Sequence, residues 1–128
     1  MMIQTILGIA TKELNDIGIP YEFMRWTDSV VPETYWIGEY TETATLTEDG
    51  YEEGTLLVTG TTQGSWIKML QDTAKIKDHF PSICGLRTST DNGTVVIFYD
   101  NCIPVQTGQA NLKRMQVNLR VKAWKGSN

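Results

Sequence analysis

Apolar residues open the chain at helical spacing. Ile3, Ile6, Leu7, Ala10, Leu14 and Ile17 recur every three or four positions, with Gln4, Lys12, Glu13 and Asp16 between them. That spacing puts one stripe of a helix against a core and leaves the other side polar. Gly18 and Pro20 end the helix, since glycine accepts a left-handed backbone and proline cannot continue the hydrogen-bond ladder. The period then shortens. Tyr21 to Trp26 is a short run of large residues, Thr34 to Tyr40 (TYWIGEY) is aromatic and β-branched, and Thr55 to Thr61 (TLLVTGT) has the same character. The polar, acidic stretch from Thr41 to Gly54, with a turn at Asp49-Gly50, reads as a long hairpin arm between strands. On the Thr34 strand, Tyr35 and Trp36 point to opposite faces, so one should be buried and the other available.

Helical spacing returns after Ser65, a good N-cap. Trp66, Met69, Leu70, Thr73, Ile76 and Phe80 form the inward stripe of a second helix; Lys68, Gln71, Lys75 and Asp78 face out, and Pro81 stops it. A loop containing Gly85 and a turn at Asp91-Asn92-Gly93 lead to Thr94–Tyr99 (TVVIFY), apolar enough to suit a sheet centre. From Arg114 to Lys122, Met115, Val117, Leu119 and Val121 alternate with Arg114, Gln116, Asn118, Arg120 and Lys122. A period of two sends the first set into the core and presents a basic face on the other side. The order is helix, strands, helix, strands: an α+β fold, mostly antiparallel, its sheet packed by two helices.

Composition narrows this pattern to one ordinary domain. At 128 residues, 41% hydrophobic and 20% charged, residues 1–128 have enough apolar side chains for a single core. A net charge of −4 argues against nucleic-acid binding through the backbone phosphates. Met1 to Gly18 lacks the basic start and apolar block of a signal peptide, and no apolar run is long enough for a membrane span. Cys84 and Cys102 are far apart and outside any CxxC pattern, which reads as two reduced, partly buried thiols.

Candidate chemistry is sparse. His79 is the only histidine and sits in the last turn of the second helix, where it can meet the negative end of the helix dipole. Cys84 five residues later makes a Cys–His pair conceivable, without any motif to support it. One histidine and two separated cysteines do not make a zinc site, and Glu48-Asp49-Gly50 lacks the alternating donors of a calcium loop. No phosphate-binding, dinucleotide or nucleophile-elbow motif occurs. The expectation is a protein with no catalytic residues, no metal and no cofactor.

Charge layout says more. Between Arg25 and Lys68 every charged residue is acidic, Glu48, Asp49, Glu52 and Glu53 among them; after Asp100 every one is basic, including Lys113, Arg114, Arg120 and Lys122. Acidic and basic surfaces on one subunit suit a head-to-tail contact between copies, with Tyr51 as an aromatic anchor in the acidic arm.

The phrases ELNDIGIPYEFMRW, YWIGEYTETATLTEDGYEEGTLLVTGTTQGSW, IKDHFPSICGL and ANLKRMQVNLRVKAW resemble a family of small phage and prophage proteins of Gram-positive hosts, similar to tail-terminator or tail-completion proteins. The resemblance spans nearly the whole chain and rests on overall pattern. It implies an α+β fold, a homo-oligomeric hexamer ring and no cofactor. The ring caps the tail tube, ends its polymerisation and joins the tail to the head connector, so the partners are further copies of the chain, the tube protein and the connector protein, without membrane or sequence-specific nucleic acid. It also implies a place in the virion tail or neck after assembly in the host cytoplasm. The alternatives are a head-closure or adaptor ring of the neck, and a bacterial ligand- or peptide-binding domain.

Overall fold

The computed structural model describes residues 2–44, 50–91 and 93–125. Its elements are α1 (Met2–Asp16), β1 (Tyr21–Phe23), β2 (Thr34–Ala44), β3 (Glu52–Thr62), α2 (Trp66–His79), β4 (Leu86–Thr90), β5 (Gly93–Val105) and β6 (Lys113–Lys125). The six strands form one sheet in the order β1-β2-β3-β6-β5-β4. Every neighbouring pair is antiparallel except β1 and β2, which run parallel. Both helices contribute to a single core on one face of this sheet, which matches the expected α+β architecture.

Side-chain parity decides which face is covered. On β6, Met115, Val117, Leu119, Val121 and Ala123 all point into the core, as the alternation in the sequence requires. Leu56 and Val58 on β3, Trp36 on β2, and Val95 and Ile97 on β5 lie on the same side. Ile6, Ala10 and Leu14 of α1 and Met69, Ile76 and Phe80 of α2 close over them.

The local stop signals act as their chemistry dictates. Gly18 takes φ +83°, and the amides of Gly18 and Ile19 donate to the carbonyls of Asn15 and Leu14, closing the last turn of α1. The Ser65 hydroxyl accepts from the Ile67 amide at 3.0 Å and caps α2. Positive φ at Met24 ends β1 after three residues, so the expected strand from Tyr21 to Trp26 is shorter than its apolar run. The turn expected at Asp91-Asn92-Gly93 has Asn92 outside the described residues.

The inward stripe of α2 differs from the spacing argument. Trp66 and Leu70 are exposed, whereas Asp72 and Thr73 are buried with Met69 and Ile76. The helix is rotated because Asp72 has a specific partner beneath it. Its Oδ2 accepts from the Trp36 indole Nε1 at 3.1 Å, and its Oδ1 accepts from Lys68 Nζ at 2.6 Å. A buried carboxylate needs such donors, and satisfying them outweighs hiding Trp66. Gly60 lies directly across from Trp36 on β3, and its missing side chain admits the indole and Met69.

Two further differences concern the sheet. β5 lies one strand in from the edge, with β3 and β6 at the centre. It is apolar on both sides because Val96 and Phe98, on the face away from the helices, pack against Gly85. The edge strand β4 has no hydrophobic run in the sequence: of LRTST only Leu86 is apolar, packed against the margin of the core.

Tyr21 is buried beside Gly38, and its hydroxyl has no hydrogen-bond partner among the described residues. Burial pushes its phenol pKa well up. Burial, aided by Glu42 and Glu52, pushes Tyr40 up to about 12. The native state therefore holds these protons more tightly than the unfolded chain does. Their contribution to stability is complete below pH 10 and is lost as pH rises from there towards the folded-state values. Tyr21→Phe removes an unsatisfied buried hydroxyl at the cost of no hydrogen bond. It should leave stability unchanged or raise it by about 1 kcal/mol at neutral pH, and make the alkaline fall shallower. Urea midpoints of both forms at pH 7 and just above 10 check both effects.

Candidate interaction surface

The sheet face opposite the helices has no helix or strand laid over it among the described residues. Its middle is Tyr35 and Ile37 on β2, Leu57 and Thr59 on β3, and Gln116 and Asn118 on β6, all half-buried side chains. A shallow concavity of about 380 Å³ lies over this strip, bounded by Glu39, Thr61, Val105 and Arg114. As the alternation predicts, Trp36 is fully buried beneath the sheet while Tyr35 faces the open side, its ring 5.7 Å from Trp26.

The charged residues singled out from the sequence have separate fates. Glu48 and Asp49 lie outside the described residues. Glu53 is on the open face and stands directly across from Lys122, while Glu52 pairs with Ala123 and shares the helix side with Tyr40 and Glu42. The acidic arm and the basic strand are thus neighbours in one sheet rather than two opposed surfaces, because β3 pairs along its whole length with β6. The sequence interval between them hides this, being filled by α2, β4 and β5.

Around Lys122 the structure does gather a cluster. Lys122 Nζ sits 4.9 Å from the centre of the Tyr51 ring and 5.8 Å from that of Phe98. The Arg120 guanidinium lies 4.9 Å over Phe98, and Tyr51 packs against Trp124 at 5.3 Å. Each such cation–ring contact at an exposed site contributes about 0.5–1 kcal/mol, so the cluster holds the strand ends of the arm together. Phe98 and Trp124 were not singled out from the sequence, although their parity with Arg120 and Lys122 is a signal that could have found them.

Lys113 is not a free surface charge. Its Nζ donates to the Gly64 carbonyl at 2.8 Å and ties the start of β6 to the residue before the cap of α2. Arg114 lies at the far end of the open face from Lys122, across from Thr61 and Val105, and its Nε is buried without a partner among the described residues.

The residues considered for catalysis are dispersed or engaged. His79 Nε2 meets Glu13 Oε1 at 2.8 Å, and its ring packs edge-on against Phe80 at 5.1 Å, so it fastens α2 to α1. Cys84 and Cys102 are free; Cys84 is exposed rather than partly buried, because it lies in the loop before β4. Among the described residues, no three His, Cys, Asp or Glu side chains come together as metal ligands, and no helix is long and apolar enough to cross a membrane.

No protein-family model and no curated protein matches the sequence. The fold has solved counterparts. One is a chain from the virion of a native gene transfer agent particle, 12% identical, with a TM-score of 0.68 over 88% of this chain and 84% of that one. Another is 15% identical, with a TM-score of 0.70 over 96% of both chains. At these identities the likeness is one of fold.

Proposed function

We propose that this chain is a structural protein of a phage-like virion, and that its station is the tail end: a ring that caps the tail tube, stops its polymerisation and joins it to the head connector. The observation that carries this reading is the fold shared with a virion chain along nearly the whole of both molecules. The sequence phrases that resemble tail terminators supply the station. An uncovered sheet face and exposed apolar side chains on α2, Trp66, Ile67 and Leu70, provide surface for neighbours. The protein acts by binding alone, with His79 and Lys113 holding elements together.

The direct test is tube growth. Added to polymerising tube protein of the same particle, the chain should bind tube ends and shorten the length distribution seen by electron microscopy. Unchanged lengths with no end-bound density contradict the proposal.

A further inference from the structure

Helix α2 is apolar on two sides. Met69 and Ile76 take it into its own core. On the side away from the sheet, Ile67, Leu70 and Ala74 form a second stripe at helical spacing, with Ile67 66% and Leu70 53% exposed. Asp78, one turn further on, ends that stripe and is exposed. The cations of α2 near it turn elsewhere: Lys77 lies over the Tyr99 ring and His79 meets Glu13. The outward side of α2 is therefore positive where the helix begins, through its dipole, and negative where it ends, through its dipole and Asp78.

The open sheet face has the converse layout. Tyr35, Ile37, Leu57 and Val105 floor the concavity of about 380 Å³, and Ile103, 51% exposed, stands beside Gln116 at its margin. Glu39 and Arg114 occupy opposite corners, and neither has an ion pair among the described residues. Glu39 is level with Leu57 and Asn118, and Arg114 with Thr61 and Tyr35. The two charges are thus about four residues apart along the strands and about two strands apart across them, a diagonal of about 16 Å. At about 1.5 Å per residue, Ile67 and Asp78 are separated by about the same length. An antiparallel sheet facing water carries polar side chains there, so an apolar floor between two unpaired charges marks a docking surface.

We infer that this strip receives α2 of a second copy of the chain, laid along the diagonal with its first turn at Glu39 and Asp78 at Arg114. Charge names the occupant and its direction. The unpaired carboxylate meets the positive end of the helix, the unpaired guanidinium meets Asp78 and the negative end, and Ile67, Leu70 and Ala74 cover the apolar floor between them. The reverse direction sets Asp78 against Glu39. Each subunit has one α2 and one open face, so the contact is head-to-tail and closes into a ring where the rotation permits. The inference rests on the ring reading and names its subunit contact.

Two variants and their mixture test it. Ile67→Glu with Leu70→Glu spoils the outward stripe of α2, and Thr59→Arg fills the middle of the concavity. Circular dichroism should show both folded; if Thr59→Arg is not, Glu39→Lys, at an exposed position, takes its place. By light scattering, each variant alone should self-associate at least about tenfold more weakly than the wild type. Mixed one to one, they should form a species of two chains and no larger one, since each keeps the surface the other has lost. Variants that assemble as the wild type does, or a mixture that stays monomeric where the wild type associates, overturn this contact and leave the ring standing. Loss of tube-end binding by Thr59→Arg with self-association intact gives the face to the tube protein and likewise overturns it. A wild-type chain that never associates, in solution or on tail tubes, overturns contact and ring together.

Discussion

Replacing Trp36 by alanine should lower the unfolding free energy by about 4 kcal/mol, seen as a large fall in the urea midpoint with the slope little changed. Trp36 is among the largest fully buried side chains, set between the sheet and α2. Its removal leaves a cavity beside Met69, and it also strips Asp72 of the indole donor at 3.1 Å. Asp72 is fully buried and would keep only Lys68, whose side chain is half-exposed. Trp36→Phe separates the two effects. It retains most of the packing and loses the donor, so it should cost about 2 kcal/mol. A native stability of about 5–15 kcal/mol makes the alanine variant marginal at best. An alanine variant within 1 kcal/mol of wild type would mean that α2 is not seated through this contact.

The second large effect is expected at Gly60. A Cβ there would lie 2.7 Å from Met69 Sδ and 2.8 Å from indole carbons of Trp36. The thioether can swing aside, but the indole is held by Asp72, so valine must push α2 off the sheet or twist β3. Overpacking of this sort costs about 1–3 kcal/mol, and a branched side chain belongs at the upper end. Gly8 in α1 is the natural comparison, because a Cβ there meets nothing within 4 Å and the backbone is helical. Gly8→Ala should raise stability by about 0.5–1 kcal/mol, so the same kind of change has opposite signs at the two sites. Thermal melts of the two variants side by side read the difference.

Much of this architecture is legible along the chain wherever one face alone decides burial. The strict alternation of β6 gives its core face residue by residue, and Gly18, Ser65 and Pro81 mark the helix ends where backbone chemistry puts them. Legibility fails where a distant partner decides. Nothing near Asp72 announces that an indole thirty-six positions earlier will donate to it, and so Trp66 and Leu70 look like core when they are surface. β4 is invisible because an edge strand needs little apolar surface, and Leu86 is its single apolar residue. Of the candidate surface, the charged members of β3 and β6 stand out because each stretch carries charge of one sign. Their adjacency does not, since it depends on a pairing that α2, β4 and β5 separate in the chain. Arg114 and Lys122 look alike in sequence, yet one lines the concavity and the other stacks on aromatic rings about 26 Å along the strand.

The proposed ring joins copies of the chain to one another, and the mass in solution tests that most directly. Light scattering across a range of concentrations, with and without tube protein, should find a discrete species of six copies of the 14.4 kDa chain, about 86 kDa. A mass of one chain under every condition, with nothing bound to tube ends, would contradict it.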